Sequence, residues 1–161
     1  MFRRSTTDRG AVRQLKLAGA ALSAALTGER WLGVAVDRIV VVNAEDIELE
    51  RPWTDTESAT WNGKERRLTV RWVDGSSPLV LDMAETSGFD AVTAVRERIT
   101  ASQVHVEILK TAAGDVRAFV RRHPSGELFS QLVARGPLTD EEQAQADQLE
   151  MRARAAVGMP E

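Results

Sequence analysis

Two short dipeptides constrain the fold of this chain more than any other feature: Asn62-Gly63 and Asp74-Gly75. Each supplies residues tolerant of the positive φ that a tight type I′ hairpin turn requires. A two-residue turn at Asn62-Gly63 pairs Trp61 with Lys64, Ala59 with Arg66 and Glu57 with Leu68. A second at Asp74-Gly75 pairs Val73 with Ser76, Val70 with Leu79 and Leu68 with Leu81. Both put Ala59, Trp61, Leu68, Val70, Trp72, Leu79 and Leu81 on one face of a three-stranded meander. Arg67, Arg71 and Asp82 fall on the other face. A slip of one residue would exchange the faces, so the alternation and the turns specify the sheet together.

Further strands are expected on both sides of this meander. Leu32, Val34 and Val36 alternate, a tight turn follows at Asp37-Arg38, and residues 39–42 and 47–49 read as strands around Asn43-Ala44-Glu45. Residues 14–27 allow two readings. One is a helix ending at Gly28, carried by Val12, Leu15, Leu22 and Leu26. The other is a helix to about Leu17, then a strand over 20–26 turning at Thr27-Gly28. After the meander, Ser87 stands as an N-cap three residues before Asp90, and Phe89, Val92, Val95 and Ile99 share a helical face. Strands follow over 104–109, 116–122 and 128–134, with His123-Pro124-Ser125-Gly126-Glu127 as a turn. A last helix starts at the N-cap Thr139 with Glu142 at N3, stops before Gly158 and Pro160, and carries a thin apolar face of Ala146, Leu149, Ala153 and Val157.

The chain has 161 residues and no cysteine, which excludes disulfides, thiolate catalysis and Cys-ligated zinc or iron–sulfur sites. Its net charge of −3 offers no global attraction to nucleic acid or anionic lipid. The charge is unevenly spread. Arg3, Arg4, Arg9, Arg13 and Lys16 face the single acid Asp8 at the start, whereas Glu45, Asp46, Glu48, Glu50, Asp55 and Glu57 outnumber Arg51 later on. Pairing within the molecule is the expected use of both segments. No apolar stretch approaches the roughly 20 residues of a membrane helix. No export signal stands out, so a cytoplasmic location is expected.

The run Val34-Ala35-Val36-Asp37-Arg38-Ile39-Val40-Val41-Val42 resembles the tight second hairpin of bacterial pleckstrin-homology-like and GRAM-like modules. Trp53, Ala59-Thr60-Trp61, Leu68-Thr69-Val70-Arg71-Trp72-Val73-Asp74-Gly75-Ser76 and Leu79-Val80-Leu81 resemble their central strands. Phe89 through Val95-Arg96-Glu97-Arg98-Ile99 stands where their closing helix stands. The resemblance covers about residues 15–100. It implies an α+β, mainly β fold: an antiparallel barrel of seven strands closed by a helix, followed by a β-β-β-α extension. The seven strands favour the strand reading of 20–26. On this plan residues 1–100 form the pleckstrin-homology-like domain with a short basic N-terminal segment. Residues 101–161 form the three-stranded extension plus the C-terminal helix, packed as one compact unit.

Catalytic signatures are absent. There is no phosphate-binding glycine loop, no His-Glu-x-x-His and no Gly-x-Ser-x-Gly. His105 and Glu107 share a strand face but lack a third metal ligand. Asp46, Glu48 and Glu50 share another and read as a solvated or arginine-paired row. No catalytic residue, metal or cofactor is expected. Relatives that grip inositol phosphates carry lysines and arginines on the first hairpin loop. Here that loop is Thr27-Gly28-Glu29-Arg30, with one basic residue, which argues against lipid. Trp31, Trp53, Trp61 and Trp72 read as core or cross-strand packing.

One surface stands out as a binding face. Val116, Ala118, Val120, Leu128 and Leu132 form an apolar side of the last hairpin. Its other side carries Arg117, Phe119, Arg121, His123, Phe129 and Gln131. Aromatics beside arginines stack on peptides, bases or partner side chains. The opposing expectation is that the last helix covers these rings. The reading is a non-enzymatic interaction module acting through another protein. The alternative is a small-ligand or nucleic-acid module using Phe119, Phe129 and Arg121.

Overall fold

The computed structural model describes residues 6–84 and 88–160. The chain is α+β and mainly β, with three antiparallel sheets and three α-helices among the described residues, and it divides into two units. The first holds residues 1–72 and 76–99, the second 73–75 and 100–161.

The first unit begins with α1 (Thr6–Leu17), so the helix-then-strand reading of residues 14–27 is the one adopted. Four strands follow: β1 (Leu22–Leu26), β2 (Arg30–Val34), β3 (Arg38–Val42) and β4 (Ile47–Pro52), hydrogen-bonded in chain order. A second sheet is formed by β5 (Thr56–Asn62), β6 (Arg67–Trp72) and β7 (Leu79–Asp82), again in chain order. Helix α2 (Phe89–Ser102) comes next.

The unbroken apolar run Ile39-Val40-Val41-Val42 is explained by burial of both faces of β3. Ile39 and Val41 join Leu32, Val34, Leu68, Val70, Trp72 and Leu81 in a core shared by the two sheets and by Val92, Val95 and Ile99 of α2. Val40 and Val42 point the other way, onto Ala11, Leu15 and Ala18. A strand buried on one face only would alternate. Trp53 and Trp72 lie in the shared core and Trp61 packs at its margin, while Trp31 packs beside the α1 cluster.

The seven strands do not close into a barrel. Among the described residues an isolated bridge, Leu26 with Met83, links the two sheets, flanked by Thr27 N–H donating to Asp82 O and Ala84 N–H donating to Ala25 O. At the opposite edges β4 and β5 are unpaired with each other. Pro52 has no N–H to extend the ladder, and the 3-10 turn Trp53–Asp55 redirects the chain between them.

The meander keeps the expected face but corrects one register. Leu68 pairs with Leu81 and Val70 with Leu79, as the Asp74-Gly75 turn requires. Trp61, however, pairs with Leu68 rather than Lys64, and Ala59 with Val70 rather than Arg66. Asn62 Oδ1 accepts the Lys64 and Glu65 N–H groups, and Arg66 takes the positive φ of 56° that closes a wider loop. The Asn side chain thus builds an Asx turn where a two-residue hairpin was expected. The shift spans an even number of residues, so every side chain stays on its face.

Two expectations for α2 fare differently. Ser87 lies outside the described residues. Phe89 is not on the buried face with Val92, Val95 and Ile99 but is 73% exposed.

Candidate functional site

The second unit consists of β8 (Gln103–Thr111), β9 (Gly114–Arg122), β10 (Leu128–Ala134) and α3 (Asp140–Ala156). Its sheet has the order β10-β9-β8, which makes β8 and β10 the edges. The β9–β10 turn closes by His123 N–H donating to Glu127 O and Gly126 N–H to His123 O, with Gly126 at φ 93°. That register sets Phe129 opposite Arg121 and Gln131 opposite Phe119.

Helix α3 has the expected capping box. Thr139 Oγ1 accepts from Glu142 N–H, and the Glu142 carboxylate accepts from Thr139 N–H. Its buried residues Ala146, Leu149 and Ala153 make a narrow stripe. Leu149 and Ala153 pack on Ala118 and Val120, with Leu109, Leu128 and Leu132 around them. The polar flank of the same contact is tied down too. Ser130 Oγ donates to Glu150 Oε1 at 2.6 Å and accepts from Arg154 Nη1 at 3.0 Å. The helix therefore covers the apolar side of the hairpin and not the side carrying Phe119.

Of the six residues expected to form a binding face, Arg117, Phe119, Arg121, Phe129 and Gln131 share one side of the sheet and His123 lies in the turn beyond β9, but they are not equally presented. Phe119 is 2% exposed and Arg121 0%. The Arg121 guanidinium carbon sits 4.8 Å from the Phe119 ring centroid, and its Nη1 donates to Ser102 Oγ at 2.9 Å. Phe129 is half-buried and stacks on His123, with centroids 4.3 Å apart. Arg117 and Gln131 are also half-buried. The centre of this side is thus internal structure, and only its margin reaches solvent.

Sequence reading missed the exposed part of that side, which lies on β8. Val106 pairs with Phe119 and Ile108 with Arg117, so both extend the same sheet face, and Val104 follows at the register shift between Gln103 and His105. All three are exposed, Ile108 to 53%. The signal was the strict alternation Val104, Val106, Ile108 within a run free of Pro and Gly. On the helix side of the strand stand His105, Glu107 and Leu109, opposite Val120, Ala118 and Val116. His105 Nε2 and Glu107 Oε2 are buried atoms with no hydrogen-bond partner among the described residues.

The other candidates resolve into local pairing. Arg30 Nε donates to Glu48 Oε2 at 2.7 Å, Asn43 Nδ2 donates to Glu48 Oε1, and Arg38 pairs with Glu50. The Asn43 hydrogen bond and the Arg30 guanidinium hold the Glu48 carboxyl below its ordinary value, against partial burial. Arg67 lies 2.8 Å from Asp82 across the β6–β7 pair and lowers its pKa by hydrogen bond and charge. No group of three or more His, Asp or Glu placed to hold a metal ion occurs among the described residues. No helix among them is long and apolar enough to cross a membrane.

No family model matches the chain, and no curated protein or solved structure matches it.

Proposed function

We propose that the chain is a non-enzymatic interaction module working through protein contacts, and that the contact is made by the β8 edge of the second unit. The observation that carries this reading is the exposed row Val104, Val106 and Ile108 on a strand paired along one side only. A long edge strand with apolar side chains is a template for pairing with another chain, and charges or prolines usually blunt it. Here the face carrying that row has Lys110 near one end, while Glu107 stands on the helix side. The ligand or nucleic-acid alternative drew on Phe119, Phe129 and Arg121, and the burial of Phe119 and Arg121 removes its centre.

We also propose kinship of the first unit with pleckstrin-homology-like modules. It is supported by seven antiparallel strands followed by a helix in chain order. The open β4 and β5 edges are where it departs from them.

The test compares protein captured from native lysate by the wild type and by Ile108→Glu. An exposed position should tolerate the change within about 0.5 kcal/mol. The reading expects a specifically bound protein that Ile108→Glu loses while its unfolding midpoint is kept. Equal capture by both proteins would contradict it.

A further inference from the structure

The chemistry of β8 goes beyond an unspecified contact and fits one occupant, so this inference rests on the reading above. We infer that the β8 edge pairs antiparallel with β8 of a second copy of this chain, in a register centred on Val106.

Three constraints converge on that register. The first is symmetry. Two identical edge strands pairing antiparallel are related by a two-fold axis perpendicular to the sheet, which keeps each side chain on its own face. Directly opposed residues must then point to the same side, so the axis passes through a residue and not between two. The second is charge. Centring on Glu107 opposes two carboxylates, which is unfavourable for cross-strand neighbours. Centring on His105 opposes two imidazoles. Centring on Ile108 sets Glu107 against the apolar Leu109. Centring on Val106 sets His105 of each copy opposite Glu107 of the other, twice by symmetry.

The third constraint is hydrogen bonding. His105 Nε2 and Glu107 Oε2 are the polar atoms of β8 that are buried and unpartnered among the described residues. A buried polar atom left unpaired is costly, and an imidazole N–H donating to a carboxylate satisfies both groups at once. Within one copy His105 Nε2 and Glu107 Oε2 make no hydrogen bond to each other. Cross-strand neighbours stand about 4.5–5.5 Å apart at Cβ and do meet. The same register matches the opposite face: Val106 meets Val106, and Val104, at the register shift of the strand, meets Ile108 in both directions. The exposed apolar row of one copy thereby covers that of the other, and two three-stranded sheets become one of six.

The absence of cysteine gives a clean experiment. Val106→Cys, Val104→Cys and Ile108→Cys each carry one thiol at an exposed site. In the inferred register residue 106 lies opposite itself, at a Cα separation of about 4.5–5.5 Å that suits a disulfide. Residues 104 and 108 lie about 14 Å from their own mates at a rise near 3.4 Å per residue. Mild oxidation should crosslink Val106→Cys alone. A mixture of Val104→Cys and Ile108→Cys should crosslink to each other. Crosslinking at all three positions equally, or at none, overturns the inference.

Sedimentation of the cysteine-free protein supplies the second arm. Glu107→Lys should weaken the dimer about tenfold or more, since it replaces the acceptor for the His105 N–H by a donor at two sites. The swap His105→Glu with Glu107→His restores the pairing and should restore the dimer. Thermal melts check that each variant is folded, and the swap keeps the test decisive if Glu107→Lys does not fold. A wild type that stays monomeric at all concentrations overturns the inference. If such a monomer still binds another protein that Ile108→Glu loses, the module reading survives and the second copy alone is excluded. If it binds none, both fall.

Discussion

Arg121 lies over the ring of Phe119, guanidinium carbon 4.8 Å from the centroid, and both side chains are closed to solvent. Two positions on one strand are joined by a cation–π contact that is worth more when desolvated than at a surface. Phe119→Ala should therefore cost about 3–5 kcal/mol through cavity formation, measured by denaturant titration. Arg121→Lys should not preserve stability, because an ammonium lacks the planar face and the forked donors that reach both the ring and Ser102. A loss below about 0.5 kcal/mol for Phe119→Ala, the size expected of a surface substitution, would mean that the ring is exposed.

Gly10 tests the seating of α1. A Cβ at this position would stand 2.3 Å from the Ala44 carbonyl oxygen, and backbone cannot swing aside as a side-chain tip can. Alanine in a helix is ordinarily favoured over glycine by about 1 kcal/mol. Here Gly10→Ala should destabilise, and a raised melting temperature would show that α1 does not sit against residue 44.

The α3 cap offers a smaller and cleaner number. Thr139→Ala removes the acceptor for the Glu142 N–H and leaves the backbone N–H of residue 139 to the Glu142 carboxylate. The expected cost is about 1 kcal/mol, and Thr139→Ser should recover most of it.

Stability should also fall on acidification. Asp82 and Asp37 are held below their ordinary values, first by hydrogen bonds from Arg67 and Arg38, and Glu48 by Asn43 and then Arg30. A carboxyl whose pKa is lower folded than unfolded stabilises the fold above the ordinary carboxylate range. That contribution is lost as pH falls through the folded value. Melting temperature should thus be flat near neutrality and drop below about pH 4, where unperturbed carboxylates titrate. Arg67→Gln should make the drop shallower, because it returns Asp82 toward its ordinary value. These pairs are exposed, so each share is small.

How much of this was legible in the sequence depends on how local the signal is. The cap Thr139 and the stripe Ala146, Leu149, Ala153 were read correctly because a helix start and its 3.6-residue period are encoded within a few residues. The Asp74-Gly75 register was equally local. At Asn62 the same dipeptide logic failed, since the side chain competed for the turn amides and opened the loop. Phe89 was assigned to the core from periodicity alone, yet a first-turn residue can fall beyond the sheet it should pack on. Barrel closure was beyond reach, because it depends on whether β4 meets β5 across Pro52 and its turn. At the candidate site, parity correctly grouped Arg117, Phe119, Arg121, Phe129 and Gln131 on one side. Burial of Phe119 and exposure of Ile108 are tertiary properties that parity does not carry.

Amide hydrogen exchange along residues 103–111, followed at low and high protein concentration, tests the role of the β8 edge most directly. In an antiparallel ladder alternate amides point to opposite sides, so one set on β8 bonds to β9 and the other faces outward. Pairing with a second copy predicts that the outward set slows as concentration rises, while the amides of the other edge strand, β10, keep their rates. Exchange along 103–111 that is the same at every concentration would contradict it.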